Sequence, residues 1–362
     1  MTAAPAEALP RVEGDVLLRR VPKLAAAISA AAALALTATA CGESSTEANK
    51  DEEKGVGLAF DVGGRDDHSF NEAAARGADK AKKKLDVNVE MLTAGNNETE
   101  ADREQRLTSL AQEGYNPVIG VGFSYGKSIE KVAKEFPDTT FGLVDERVKA
   151  KNVDSMIFSE HEGSYLAGVA AAKKTKSDKV GFIGGVNNAL IQKFEAGFAQ
   201  GVKDTDPKIK LTRQYLYPNN DKGFNDPAAA KEKAKGMLDR GVDVIYTAAG
   251  QSGAGSIEAI NAKKGAWAIG VDSDQYKQPG LKEYKESILT SVVKNVDVAV
   301  FELIKSVEDG DPITGINEYT LKEDGVRLTT SGGFIDDIMP DIEKAKKKIA
   351  SGEVKVSPTP KK

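Results

Sequence analysis

Short apolar runs alternate with helical patterns along most of the chain from Val56 onwards. Runs such as "VGLAFDVG", "PVIGVGFS", "KVGFIGGV" and "VDVIYTAAG" predict strands, and each precedes a stretch whose apolar positions recur at helical spacing. The predicted helices lie near residues 69–85, 99–113, 126–136, 163–175, 188–204, 227–239 and 255–264. Strands that alternate with helices indicate βαβ units and parallel sheets. Because these units are too many for one sheet, we expect an α/β protein with two doubly wound parallel-sheet lobes.

Two of the predicted helix ends carry specific signals. Ser69 precedes the first helix and Glu72 follows three residues later, which predicts a capping box. Gly114 follows the second helix, where a glycine is typical of a left-handed C-terminal cap.

One sequence device occurs twice. The stretches "SFNEAAARGADKAKKKL" (69–85) and "GFNDPAAAKEKAKGML" (223–238) both join a small residue, Phe, Asn and an acid to an alanine-rich helix. In open α/β sheets, ligands bind beyond the carboxyl ends of the strands, where such loops lie. We therefore expect Phe70 and Phe224 to approach an interlobe cleft from opposite sides. The rings fit either a stacking platform for a flat ligand or packing under their own helices, and the pattern leaves both open.

The N-terminal region has the layout of an export signal. A basic cluster, "RRVPK" (19–23), leads into the apolar stretch "LAAAISAAAALALTATAC", which ends at the only cysteine, Cys41. This layout resembles a bacterial lipoprotein signal, in which the cysteine is lipidated. We expect a signal peptide over 1–40, a flexible polar tether over 41–54 and a lipid anchor on the extracytoplasmic face of the cell membrane. A plain membrane anchor and an ordinary secretory signal remain alternatives.

Composition narrows the classes of function. The net charge of −5 gives no basic surface for nucleic acid. One cysteine excludes an internal disulfide and a thiolate metal cluster, and two histidines leave little for a zinc site. We therefore expect no metal, no cofactor and no nucleic-acid partner.

One motif fits an enzyme. The sequence "GFSYG" (122–126) has the G-x-S-x-G pattern between a strand and a helix that is typical of a nucleophile elbow. Asp145 and His161 follow in the order of a serine hydrolase, with Ser124 as nucleophile. Such a triad would occupy about forty residues and leave the second half of the chain without a role, so we prefer a non-enzymatic function.

Eight segments after the tether carry a family resemblance. They are "DVGGRDDHSFNEAAARG", "EGSYLAGVAAA", "KVGFIGGV", "FEAGFAQGVK", "GFNDPAAAKEKAKGML", "GVDVIYTAAGQSGAG", "AIGVDSDQY" and "LTSVVKNVDVAV". In this order they resemble the basic membrane protein (BMP) family of substrate-binding lipoproteins, whose best-understood members bind purine nucleosides for an ABC importer. The resemblance implies a type I periplasmic-binding-protein fold with two lobes joined by a three-segment hinge. We expect residues 55–158 and 275–310 in the first lobe and residues 159–274 and 311–356 in the second.

The resemblance also implies a set of ligand contacts. They comprise two rings that sandwich a base, polar contacts of the first lobe, a backbone contact and a pair that holds the sugar: Phe70 and Phe224; Asp61, Asn71 and Asp145; Gly250; Asp272 and Lys294. Three carboxylates against one lysine suit sugar hydroxyls and repel phosphate, which favours a nucleoside over a nucleotide. The implied function is that of a monomeric receptor that delivers a nucleoside to ABC permease subunits. A sugar or signal-molecule receptor of the same fold is the alternative.

Overall fold

The computed structural model describes residues 55–95 and 98–361. The predicted signal peptide, Cys41 and the tether up to residue 54 lie outside these residues. Within them, no helix is long and apolar enough to cross a membrane.

Strands and helices alternate as the apolar pattern predicts. The strands are β1 (Val56–Ala59), β2 (Val89–Leu92), β3 (Val118–Val121), β4 (Phe141–Val144), β5 (Val153–Phe158), β6 (Lys179–Val186), β7 (Lys210–Tyr217), β8 (Val244–Ala248), β9 (Trp267–Asp272), β10 (Ile288–Lys294), β11 (Gly315–Tyr319) and β12 (Val326–Leu328). The helices are α1 (Phe70–Leu85), α2 (Glu100–Gln112), α3 (Gly126–Glu135), α4 (Glu160–Lys174), α5 (Ala189–Thr205), α6 (Pro227–Asp239), α7 (Gly253–Asn261), α8 (Val296–Glu308) and α9 (Met339–Ala350).

These strands form two six-stranded sheets, one in each lobe. The first sheet has the order β2-β1-β3-β4-β5-β11 and is parallel throughout. The second has the order β7-β6-β8-β9-β10-β12, with only β12 antiparallel to its neighbour. The matching orders make β1 equivalent to β6 and β4 equivalent to β9. The predicted α/β class with two doubly wound lobes is confirmed.

The chain crosses between the lobes at three places. It passes from β5 to α4 at Ser159, from β10 to α8 at Asn295, and from β11 to β12. The Ser159 amide donates to the Tyr319 carbonyl at 3.1 Å, and the Asn295 amide donates to the Gly325 carbonyl at 2.9 Å. The crossing segments therefore lie side by side as the three-segment hinge of the expected fold.

Two predicted lobe boundaries differ from the sheets. Residues 275–294 were expected in the first lobe, but β10 pairs with β9 in the second sheet, so this crossing falls at Asn295. Residues 311–319 were expected in the second lobe, but β11 pairs with β5 in the first sheet. The apolar pattern missed β10 because all seven of its residues are buried and show no alternation.

The two predicted helix ends have different outcomes. Gly114 adopts a left-handed conformation with φ of 86°, as predicted for the end of α2. The capping box at α1 is wrong, since the Ser69 side chain caps no backbone amide there. The Asp67 carboxylate accepts the amides of Asn71 and Glu72 at 2.9 and 3.1 Å instead. Asp67 therefore fixes the start of the helix that carries Phe70.

Candidate functional site

All eight predicted ligand contacts line one cavity between the lobes. The cavity has a volume of about 570 Å³, which includes its open side. Four contacts come from each lobe: Asp61, Phe70, Asn71 and Asp145 from the first; Phe224, Gly250, Asp272 and Lys294 from the second. The structure thus brings together residues that are up to 233 positions apart in sequence. Their individual roles in binding stay predictions.

The loop after β1 is held by the Asn71 side chain. Its Nδ2 donates to the Asp61 and Val62 carbonyls at 3.3 and 3.1 Å, and its Oδ1 accepts the Asp61 amide at 3.3 Å. Both donor hydrogens of the amide are therefore used by backbone, which leaves only acceptor capacity on Oδ1 for a ligand. Asn71 thus positions Asp61, a contribution that residue type alone does not show.

Each of the two predicted stacking rings has protein on one side. The Lys294 ammonium lies 5.1 Å from the centroid of the Phe70 ring. Phe224 follows β7 in a short 3₁₀ turn, and its ring packs on β6 at Gly185, where an added Cβ would come within 2.8 Å of it. Both rings are half-buried and line the cavity. The two rings therefore contribute to the cavity wall from opposite lobes.

The repeated sequence device does not reflect the symmetry of the lobes. Phe70 opens the helix that follows β1, whereas Phe224 follows β7, the edge strand equivalent to β2. The equivalent positions are instead Asp145, directly after β4, and Asp272, at the end of β9. Both adopt left-handed conformations, with φ of 73° and 63°, which residues other than glycine rarely do. Such conformations are common at ligand-binding sites.

Lys294 is the centre of the buried charges. Its ammonium donates to both carboxylate oxygens of Asp145 at 2.6 Å and lies 3.3 Å from Glu160 Oε1. Among the described residues it is the only buried lysine, arginine or histidine. Asp272 accepts a hydrogen bond from Ser69 Oγ at 2.6 Å, which joins the two lobes beside the cavity.

Burial makes the cavity acids hard to ionise. Desolvation raises the pKa of Asp61 to about 6 and that of Asp67 to about 7. It also raises the pKa of Asp145 to about 6, although the Lys294 ammonium opposes the shift, and it raises the pKa of Asp272. Burial alone would lower the pKa of Lys294, but the surrounding carboxylates outweigh it and raise that pKa. The ionised carboxylates of the cavity wall are therefore poorly stabilised by the protein, and hydrogen-bond donors of a ligand would stabilise them.

The residues of the alternative hydrolase triad do not bond to one another. Ser124 Oγ donates to Asp221 at 3.2 Å, and Asp145 is bonded to Lys294. His161 is half-buried, and its solvent-inaccessible Nδ1 atom has no hydrogen-bond partner. The "GFSYG" motif has a structural reason instead. Gly122 has φ of 119°, and a Cβ there would come within 2.5 Å of Asp61 Oδ2. Its first glycine therefore lets the turn after β3 lie against Asp61.

The cavity also contains residues that the sequence did not single out. Phe123, Phe194 and Asp67 line it beside the predicted set. Asp67 was detectable as a helix-capping aspartate ahead of α1, whereas Phe123 lay hidden inside the hydrolase-like motif. Within residues 55–95 and 98–361, no cluster of histidine, cysteine or acidic side chains is arranged to hold a metal ion.

Comparison with known proteins identifies a family. The model of the ABC transporter substrate-binding protein PnrA-like family matches residues 54–359. A CD4+ T-cell-stimulating antigen of Listeria innocua is 37% identical, over 93% of this chain and 98% of its own. The ABC transporter nucleoside-binding protein BmpA of Lactococcus lactis is 35% identical, over 83% of this chain and 88% of its own.

Two further proteins extend the comparison. An uncharacterized lipoprotein of Pyrococcus abyssi is 34% identical, over 78% of this chain and 70% of its own. The crystal structure of a solute-binding protein of an ABC transporter system from Aeropyrum pernix superposes with a TM-score of 0.73 at 29% identity. That superposition covers 85% of this chain and 94% of the other.

Replacing Asp61 with asparagine should stabilise the ligand-free protein at pH 8. Because burial raises the pKa of Asp61 from 3.8 to about 6, the folded protein holds this proton more tightly than the unfolded chain. The buried charge therefore lowers stability above pH 6, by at most about 3 kcal/mol, and has no effect below pH 4. Thermal melting should show a higher Tm for Asp61→Asn at pH 8 and a much smaller gain at pH 4.5.

The matched control for this prediction is Asp66→Asn, since Asp66 lies on the same loop with its side chain 86% exposed. Its Tm should stay near the wild-type value at both pH values. A lower Tm of Asp61→Asn at pH 8 would mean that the negative charge strengthens the 2.8 Å hydrogen bond from the Val62 amide by more than its burial costs.

Proposed function

Because the chain belongs to the PnrA-like family of ABC-transporter substrate-binding proteins, we propose that it captures a purine nucleoside outside the cell and delivers it to an ABC importer. The observation that carries this proposal is the interlobe cavity, in which Phe70 and Phe224 stand on opposite lobes beside buried carboxylates. The family is one of substrate-binding proteins, so capture and release rather than chemical conversion is the expected action.

The chemistry of the wall suits the two halves of a nucleoside. A purine base between Phe70 and Phe224 would gain stacking energy on both faces. Ribose hydroxyls would donate to Asp272, which with Lys294 forms the pair expected to hold the sugar, and Asp61 and Asp145 add further carboxylates to the same wall. A phosphate would meet the same carboxylates with only Lys294 to compensate, and that ammonium is already held by Asp145. Nucleosides are therefore favoured over nucleotides.

Several contacts across the cleft support capture by lobe closure. Ser273 Oγ of the second lobe donates to the Ser69 carbonyl of the first at 2.7 Å, and it accepts from Arg76 at 3.1 Å. Gln275 Nε2 donates to the His68 carbonyl at 3.2 Å. These contacts lie close to the Ser69–Asp272 hydrogen bond in sequence, so the cavity wall is complete only when the lobes are closed. A ligand that bridges both lobes would stabilise the closed form.

Anchoring by lipid follows from a separate observation. Cys41 stands where an apolar signal ends, and a relative of this chain is described as a lipoprotein. We propose that the mature protein is held by lipid at the outer face of the cell membrane, as a monomer, with residues 41–54 as tether. This places the receptor next to its permease partner.

Asp272→Asn tests the nucleoside assignment. Asparagine tolerates the left-handed backbone at this position but removes a charged acceptor, which contributes about 1.5–3 kcal/mol. Calorimetric titration should show that the wild-type protein, freed of any bound solute by unfolding and refolding, binds adenosine at about micromolar affinity or tighter, and adenosine monophosphate far more weakly. Asp272→Asn should lose about tenfold to a hundredfold for adenosine and little for adenine.

Ser69→Ala is the matched control, because it removes the interlobe bond to Asp272 and leaves the carboxylate in place. It should weaken adenosine and adenine equally. Tight binding of a free sugar but not of adenosine would favour the sugar receptor, and the absence of binding to any nucleoside would contradict the proposal.

Phe70→Ala and Phe224→Ala should each weaken adenosine binding by about tenfold to a hundredfold. The reason is that base–aromatic stacking contributes roughly 1–3 kcal/mol per base. The matched control is Phe301→Ala, since Phe301 is also half-buried and has a lysine ammonium 4.0 Å from its ring centroid, but lies on α8 away from the cavity. Titration and melting of all three variants separate stacking from packing: wild-type affinity with a sharply lower Tm for both cavity variants would mean that the rings only pack.

Cys41→Ser should release the protein from membranes or leave its precursor unprocessed. A serine cannot accept the thioether-linked lipid that the proposed anchor requires. Membrane fractionation and intact mass of the protein measure both outcomes, with Ser44→Ala as a neighbouring control. Normal processing together with unchanged membrane retention would refute the lipoprotein assignment.

A further inference from the structure

Phe123 lines two spaces: the interlobe cavity described above, called the inner cavity from here on, and a second space, the outer groove. The groove opens between the lobes, with about 700 Å³ of space that includes its open side, and lies against Arg147, Asn188 and Lys193. It shares Phe123, Asp145 and Leu190 with the inner cavity. These three shared residues separate the inner cavity from the outer groove. Because Lys294 holds Asp145 in place, the side chains that can move are those of the half-buried Phe123 and Leu190.

The Phe123 ring also reaches the opposite lobe. It meets the Phe224 ring edge to face, with centroids 6.2 Å apart and planes at 69°. This geometry is favourable for two aromatic rings. Since Phe123 follows β3 and Phe224 follows β7, the contact crosses the cleft, and both rings lie in the wall of the inner cavity.

A polar contact next in sequence holds the two turns together. Ser124 Oγ donates to Asp221 Oδ2 at 3.2 Å, and Asp221 opens the short turn that carries Phe224. The guanidinium of Arg103, from α2, lies 3.5 Å from the same carboxylate. The residue pairs Phe123–Phe224 and Ser124–Asp221 thus join the same two turns, so the position of the Phe123 ring depends on lobe closure.

We propose that Phe123 is a gate that sets the size limit of the ligand. In the closed form its ring blocks the passage from the inner cavity to the outer groove, so a ligand with a bulky extension toward that passage is excluded. The identity of the ligand rests on the nucleoside function proposed above, whereas the gate itself does not. Removing the ring joins the two spaces and admits longer ligands.

Phe123→Ala and Phe123→Leu test the gate with ligands. The probes are adenosine, N6-benzyladenosine and 5′-benzylthio-5′-deoxyadenosine, which place bulk at either end of the nucleoside. Calorimetry should show that wild type and Phe123→Leu bind both bulky probes at least tenfold more weakly than adenosine. Phe123→Ala should gain at least tenfold for one of them, with at most about a tenfold loss for adenosine from the missing edge-to-face contact. Wild-type discrimination in Phe123→Ala, or no discrimination in wild type, would overturn the gate.

A second arm needs no ligand. Ala249 lines the inner cavity and is 1% exposed, so Ala249→Cys in a Cys41→Ser background gives a single thiol behind the gate. Adding Phe123→Ala should speed its reaction with a bulky maleimide at least tenfold, while Phe123→Leu should not and a small methanethiosulfonate should react similarly in all three. Equal maleimide rates would overturn the gate. If wild type fails to bind adenosine, the nucleoside function fails, and the thiol rates still decide the gate.

Discussion

The cavity depends on one buried ion pair, between Lys294 and Asp145. Lys294 ends β10 in the second lobe, directly before a hinge crossing, and it donates both of its shortest bonds to an aspartate of the first lobe. A buried charge without its partner is strongly destabilising, so opening the cleft must either keep this pair together or expose it to water. Glu160, directly after another hinge crossing, lies 3.3 Å from the same ammonium. The Lys294 ammonium therefore links the hinge to the cavity, so a movement of the hinge changes the contacts of the charged groups in the cavity wall.

The rest of the wall is arranged around an excess of acid. Asp61, Asp145 and Asp272 all stand at or just beyond the ends of buried strands, where they lose hydration but gain few cations. Their raised pKa values measure that cost. A wall of this kind is poorly suited to anions and well suited to neutral molecules rich in hydroxyl and amino hydrogens. The burial of the acids therefore limits the ligand chemistry that the cavity favours as much as their identity does.

Helix signals and the family resemblance located much of the site, whereas features that depend on burial, on loop conformation or on a contact between the lobes were missed. Predicted and observed bounds agree for α6, 227–239, because its helix signals lie within the helix itself. All eight residues taken from the family resemblance line the cavity. By contrast, all residues of β10 are buried, so no alternation of apolar and polar residues marks it as a strand. The hydrogen bonds of the Asn71 side chain to the backbone exist only in the folded loop, so the sequence alone does not show them. The contact of Phe123 with Phe224 joins positions 101 residues apart, which no local pattern encodes.

The resemblance between two sequence stretches and the symmetry of two lobes are different things here. Phe70 and Phe224 share their sequence context, yet one opens a helix after an inner strand and the other sits in a turn after an edge strand. Asp145 and Asp272 occupy equivalent positions in the two lobes and have similar backbone conformations. Their partners differ, however, since Asp145 binds Lys294 and Asp272 binds Ser69. A symmetric scaffold therefore carries an asymmetric site. That asymmetry would suit the nucleoside proposed above, because its flat base and its hydroxylated sugar need different walls.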